Sequence, residues 1–295
     1  MIPFWTKKYT AYLKLEKSLS ENTVSSYWSD LQKLMDFAGD DKDLTKIESS
    51  DLECFFSQLR DLGIHARSQA RILSGIKSFY RFLLLENIIE IDPTEKIDGP
   101  TLGKHLPEVL SLDEIDAIIS GVDLSKKEGQ RNKAMLETLY SCGLRVSELV
   151  HLKLSCCYFS DEYLMVEGKG SKQRLVPVSK RAIHEIELWM DDRKNLDIKK
   201  GNEDYVFLNR YGSALTRSMV FRIVKLQAGI AGITKNISPH TFRHSFATHL
   251  LEGGANLRVI QQMLGHESIQ TTEIYTHMDK TYLREQILAF HPRNR

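Results

Sequence analysis

The chain has 295 residues, 42% hydrophobic and 27% charged, with a formal net charge of +1. This is the make-up of an ordinary soluble protein with room for two domains, and the total charge does not announce a nucleic-acid binder. The greasiest run, FYRFLLLENII, is broken by Arg81 and Glu86, which excludes a membrane span, and the N-terminus lacks an apolar core of signal-peptide length. The four cysteines, Cys54, Cys142, Cys156 and Cys157, show neither C-x-x-C nor zinc spacing. Buried reduced thiols of a cytoplasmic protein are expected.

In chain order, Trp5, Tyr9 and Leu13 predict a short opening helix. Val24, Tyr27, Trp28, Leu31, Leu34 and Met35 recur at helical spacing, with Asn22 as the candidate N-cap. A second stripe, Leu52, Phe55, Phe56, Leu59 and Leu62, opens near Ser49 or Ser50 and stops at Gly63. A third runs through Ala70, Leu73, Ile76, Phe79, Tyr80, Leu83 and Leu84. Together they predict a helical bundle over residues 1–97. The stretch DGPTLGKHLPE, residues 98–108, carries glycine and proline without periodicity and reads as an interdomain linker.

Beyond the linker, residues 109–295 predict a mostly helical second domain. SLDEIDAII opens a helix with Ser111 as cap and Glu114 in capping-box position. Helices resume at Asn132 to Tyr140 and Val146 to His151, EYLMVE and RLVPV form a hairpin around the turn GKGSKQ, and helical signals continue from Arg181 to the end. The expected fold is therefore mainly α, with a small β-hairpin or sheet in the second domain.

Charge is unevenly spread along this layout. Ile64 to Leu85 holds Arg67, Arg71, Lys77 and Arg81 with no acid, and Gly168 to Arg181 holds Lys169, Lys172, Arg174, Lys180 and Arg181 with none. Acids gather between Asp36 and Glu53. Such segregation permits a basic surface on a nearly neutral protein, although solvated helix faces give the same pattern.

The chemistry-bearing residues cluster late. The string SPHTFRHSFATHLLEGG places His240, Arg243, His244 and Ala247 on one helical face, with Phe242, Phe246, His249 and Leu250 on the core side. His249 reads as a satisfied core histidine. Spacing alone does not choose between His240 and His244. LGHESIQTTEIYTH then brings His266, behind a Gly265 that looks like a helix C-cap, and Tyr275. Upstream, Arg145 opens a helix in SCGLRVSEL, where Glu148 either orients its guanidinium or forms a surface pair. In the hairpin turn, glycines on both sides of Lys169 allow a tight bend without Walker A spacing. Two arginines, two histidines and a late tyrosine with no carboxylate cluster suit a phosphodiester held by cations and attacked by a phenol.

The ordered set Arg145, Lys169 in G-K-G, His240 and Arg243 in H-x-x-R, His266 in L-G-H, and Tyr275 nine positions later resembles the tyrosine recombinase (integrase) family, and its Xer type most closely. One departure stands out: after GLRVSELVHLKLS, similar proteins often carry an aspartate where this chain has Cys156 or Cys157. The resemblance implies that residues 1–97 form a core-binding domain and 109–295 a catalytic domain, clamped together on DNA. It implies Tyr275 as nucleophile, forming a 3′-phosphotyrosyl bond and freeing a 5′-hydroxyl. His240 is then the base, Lys169 the general acid for the departing oxygen, Arg145 and Arg243 the forks on the non-bridging oxygens, and His266 a further donor. No metal, ATP or other cofactor is expected.

Duplex contacts are expected from Arg67, Arg71 and Lys77 in the first domain and from Lys172, Arg174 and Arg217 in the second. The stripe Tyr282, Leu283, Gln286, Ile287 and Phe290 is expected to dock the C-terminal tail on a neighbouring protomer, or else on its own domain. Further implied partners are a double-stranded recombination site, protomers of this chain or of a paralogous recombinase in a tetrameric synapse, and an FtsK-type DNA translocase. Chromosome dimer resolution in the cytoplasm, at the nucleoid, is the leading role. A mobile-element integrase, a DNA invertase, a type IB topoisomerase and an inactive DNA-binding accessory protein are the alternatives.

Overall fold

The computed structural model describes residues 5–39, 43–101, 108–168, 172–265 and 280–294. The chain divides into two compact units, Met1–His105 and Leu106–Arg295, each built on its own apolar core. No helix among the described residues is long and apolar enough to cross a membrane.

The first unit consists of α1 (Trp5–Ala11), a single π-helical stretch at Tyr12–Glu16, α2 (Glu21–Ala38), α3 (Ser49–Asp61) and α4 (Ala66–Leu85). The predicted stripes point inward, and aromatic rings fill the centre: Tyr9 meets Phe79 edge-on at 5.3 Å between centroids. Three details differ from the sequence expectation. Ser20, held extended, caps α2 through Thr23 N, so Asn22 lies one residue inside the helix. Leu62 ends α3 and is exposed, because the chain turns away there into a left-handed Gly63. Cys54 is exposed as well, since it faces away from Leu52, Phe55 and Phe56. Of the four thiols only Cys142 is fully buried.

The second unit is arranged around α6 (Gly129–Cys142), every residue of which is buried from Ala134 onward. Before it comes α5 (Leu112–Ser120), closed by the expected box of Ser111 Oγ with Glu114 N (3.2 Å) and Glu114 Oε2 with Ser111 N (2.7 Å). After it come the short α7 (Val146–Val150) and a three-stranded antiparallel sheet, β1 (Cys157–Tyr158), β2 (Tyr163–Glu167) and β3 (Gln173–Pro177). The hairpin register sets Leu164 opposite Val176 and Val166 opposite Arg174. β1 escapes sequence reading because two residues show no alternation. The unit continues with α8 (Lys180–Arg193), α9 (Arg217–Ile230), α10 (Pro239–Gly253), α11 (Leu257–Leu264) and α12 (Lys280–Phe290).

In this single chain the tail lies on its own unit. Leu283 and Ile287 enter the core, and Phe290 covers Gly253 and Gly254. His291 is fully buried beside Tyr140 and Phe246, and Arg293 reaches Asp116 on α5 and Glu137 on α6. The apolar stripe here packs on its own unit, the second of the two arrangements expected.

Candidate phosphodiester site at the end of α11

Three stretches deliver three arginines and one carboxylate to a single place, and a fourth brings backbone carbonyls to meet them. The first is the exit of α6. Gly143 turns the chain in the left-handed region (φ +57°), and a Cβ built there would lie 2.4 Å from the Phe246 ring, so only glycine fits. Arg145 follows as the N-cap of α7. Glu148, at the third helical position, folds back and accepts from Arg145 N and from Arg145 Nη1, both at 2.8 Å.

β3 supplies the second arginine. Arg174 Nη1 and Nη2 donate to Glu148 Oε1 and Oε2 at 2.7 and 2.9 Å, a bidentate pair. α10 supplies the third: Arg243 Nη1 donates to Gly143 O at 2.7 Å and lies 3.9 Å from Glu148 Oε2. The last stretch is the end of α11, where three successive carbonyls each accept from a different arginine. Met263 O takes Arg174 Nε at 2.7 Å, Leu264 O takes Arg243 Nη2, and Gly265 O takes Arg145 Nη2 at 2.8 Å. A helix end leaves its last carbonyls without intrahelical partners and gathers partial negative charge there; the guanidiniums answer both needs.

The Glu148 side chain is 1% exposed. Burial alone would raise its pKa, but hydrogen bonds and charge from Arg174, then bonds from Arg145, prevail and hold the carboxyl below its usual range. Arg243 is drawn down to about 10, by burial first and then by the charge of Arg145, with Glu148 opposing. It remains a cation at neutral pH. Three guanidiniums against one carboxylate leave the locus positive, and the Arg145 side chain, 31% exposed, is its most open member.

Arg243, expected on the polar face of α10, is instead buried, because its fork reaches inward to the Gly143 and Leu264 carbonyls. On the same helix His240 is exposed in the first turn and His244 is half-buried. His249 bonds the Tyr140 hydroxyl through Nδ1 at 2.9 Å, and burial foremost lowers its pKa, as befits a core histidine. Lys169, His266 and Tyr275 lie outside the described residues. The described neighbours of Lys169 and His266 abut the cluster: a Cβ on Gly168 would stand 3.6 Å from Arg174 Nη1 and 3.9 Å from Arg145 Nη1, and Gly265 closes α11 with φ +63°.

Among the residues expected to contact DNA, Arg67, Lys172 and Arg217 are exposed and Lys77 is half-buried. Arg71 stays half-exposed, yet its guanidinium is paired with the fully buried Asp30, with Nη2 2.7 Å from Oδ1. Arg174 departs furthest from expectation. It faces inward, its side chain 14% exposed, where the charge pattern predicts an open phosphate contact. The missed signal is the period of two in β3, which places Arg174 on the same face as the buried Val176. Glu148, which the sequence leaves open as a surface pair or an orienting group, lies at the centre of the cluster.

A helical unit with a small antiparallel sheet that clusters three guanidiniums has the donors to hold an oxyanion. Comparison with known proteins narrows this further. Residues 108–281 match the Phage integrase family, and residues 6–87 match the Phage integrase, N-terminal SAM-like domain. The chain is similar to tyrosine recombinase XerD of Oceanobacillus iheyensis, 42% identical over 99% of this chain and 100% of that one. It is also similar to tyrosine recombinase XerD of Chlorobaculum tepidum, 43% identical over 96% and 94%. Among solved structures, XerH site-specific recombinase bound to a palindromic difH substrate in a post-cleavage complex aligns with a TM-score of 0.72 at 25% identity, over 92% of this chain and 81% of that one. The chain belongs to the phage integrase family of tyrosine recombinases, and is an enzyme of site-specific DNA recombination.

Proposed function

We propose that this recombinase cuts and rejoins DNA through Tyr275, with Arg145 and Arg243 holding the scissile phosphate. The carrying observation is the convergence of those two arginines on Glu148 and the α11 carbonyls. Each guanidinium has five N–H donors in a planar fork. The internal bonds engage part of each fork, so the phosphate meets donors already oriented. Charge grows on the non-bridging oxygens as the phenol attacks, and fixed donors are worth most at that point.

The bonds balance as follows. The Tyr275 phenolic oxygen forms a bond to phosphorus while its proton passes to His240. The P–O5′ bond breaks, and the 5′-oxygen takes a proton from Lys169. The product is a 3′-phosphotyrosyl linkage that conserves the phosphodiester for rejoining, and His266 donates to a phosphate oxygen throughout. His240 is favoured over His244 as base because it stands exposed at the start of α10, whereas His244 is half-buried.

Both units contribute to duplex binding in this reading. Arg67 and Lys77 on α4, with part of Arg71, serve the first unit; Lys172 and Arg217 serve the second. The paired substrate sites call for a tetramer of this chain, alone or with a paralogue. Full-length similarity to proteins named XerD supports chromosome dimer resolution; action at the nucleoid and activation by an FtsK-type translocase extend that reading.

The test is a nicked duplex carrying a genomic sequence recovered with the protein from cells. Wild-type chain should accumulate a covalent protein–DNA adduct, and Tyr275→Phe should form none while still binding. Adduct from Tyr275→Phe at the wild-type level would move the nucleophile elsewhere.

A further inference from the structure

Arg174 makes the bonds of a residue that works on other residues. Nε goes to Met263 O, while Nη1 and Nη2 take both oxygens of Glu148. Its guanidinium is wedged under Gly265, where an added Cβ would meet Nη1, Cδ and Nε at 3.3 to 3.4 Å. Arg145 donates to one of the same carboxylate oxygens, Glu148 Oε1, and to Gly265 O, two residues beyond Met263. The two arginines therefore share one carboxylate oxygen and neighbouring carbonyls, but only Arg145 opens substantially to solvent.

We propose that Arg174 is a positioning residue for DNA cleavage: it fixes Glu148 and the end of α11 so that Arg145 is aimed at the scissile phosphate, and it makes no DNA contact of its own. The proposal rests on the reading of Arg145 as a phosphate ligand. Without Arg174 the buried carboxylate loses its bidentate partner, and Arg145 becomes the nearest cation to answer it. The Arg145 fork is then drawn inward and turns from the place where the phosphate would lie. Lysine cannot substitute, because a single ammonium cannot span both carboxylate oxygens and a helix-end carbonyl in one plane. A displacement of about 1 Å at a reacting group is enough to lower a rate roughly 10²-fold.

The experiment is single-turnover adduct formation on the nicked duplex described above, at saturating protein. The variants are Arg174→Lys, Arg174→Met, Glu148→Gln and the double variant Glu148→Gln/Arg174→Met, with DNA affinity measured across a salt series. Arg174→Lys and Arg174→Met should both slow the reaction about 10²-fold, with affinity and salt slope unchanged. The double variant should be no slower than the slower single one, because Arg174 acts through Glu148. Should Arg174→Met fold poorly, the double variant leaves no unpaired Glu148 charge in the core, and because neither the carboxylate nor Arg174 then fixes Arg145 and the end of α11, it must still react about 10²-fold slowly.

Three results would overturn the positioning role. One is Arg174→Lys at the wild-type rate. Another is a salt slope lower by about one with the saturated rate intact, the mark of a phosphate contact. The third is a double variant whose loss equals the product of the single losses. Wild-type adduct is the reference in every arm, so these results bear on Arg174 and leave the Tyr275 reading to its own test.

Discussion

Glu137 and Glu148 lie in the same unit, both buried and both flanked by arginines, yet their carboxyls shift in opposite directions. Glu148 receives aligned hydrogen bonds from two guanidiniums and a backbone N–H, and its pKa falls in spite of burial. Glu137 has Arg293 Nε at 2.8 Å and Arg181 Nε at 3.3 Å, but neither N–H is aimed at its oxygens. There burial dominates the opposing charges of Arg293 and Arg181, and the pKa rises. Nearby His291 is lowered to about 3 by burial first and the charge of Arg293 second, which keeps its ring neutral. Donor alignment, more than the number of neighbouring cations, sets the direction in which a buried carboxyl shifts. The surroundings of Arg145 favour the ionised carboxylate, and those under the tail disfavour it.

The largest effect that separates the two regions is on stability. Glu148→Ala strands the Arg174 guanidinium beside a cavity and should cost about 3–5 kcal/mol, the usual result of breaking a buried pair. Glu137→Ala removes a poorly bonded carboxyl and should cost clearly less. Urea denaturation of both variants at neutral pH checks the order, and equal losses would break the comparison.

Next in size is the response to pH. The folded pKa of Glu148 lies below its unfolded value near 4.5, so its stabilisation is complete above that value and disappears as pH falls through the folded pKa. The folded pKa of Glu137 lies above 4.5, so its contribution is complete below that value and is lost as pH rises through the raised pKa. Glu148→Gln should therefore flatten the acid limb of the stability profile, while Glu137→Gln should lessen the fall that begins above pH 4.5. Each tenfold difference in proton affinity between the folded and unfolded chain corresponds to about 1.4 kcal/mol. Profiles that tilt the same way would contradict the assignment.

The smallest effects belong to cations outside both clusters. Lys172→Ala and Arg217→Ala should each lower the salt slope of DNA binding by about one and leave the saturated cleavage rate unchanged. Fluorescence anisotropy across a salt series is the measurement.

Periodicity makes most helices legible, together with the hairpin, the Ser111 box and the Gly265 cap, because each follows from contacts a few residues apart. Of the residues named for chemistry, Arg145 and Arg243 are brought together, while Lys169, His266 and Tyr275 lie outside the described residues. What escapes is the shared role of Glu148 and Arg174. Their bidentate pair joins α7 to β3 across 26 positions; the period of two in β3 turns Arg174 inward, but no local pattern names Glu148 as its partner. Arg243 is misread for a related reason: helical spacing puts it with His240, but the Gly143 and Leu264 carbonyls that draw it inward belong to other elements.

Gly143 has one more consequence. Its carbonyl receives Arg243, and its bare Cα leaves no clearance against the Phe246 ring one turn further along α10. The loop carrying Arg145 is thereby keyed into the helix carrying Arg243. Thermal breathing of α10 against α6 must transport both guanidiniums as one block, so their mutual spacing survives motions that would scatter independently mounted groups. Enlarging position 143 by a single methyl would unseat the two together.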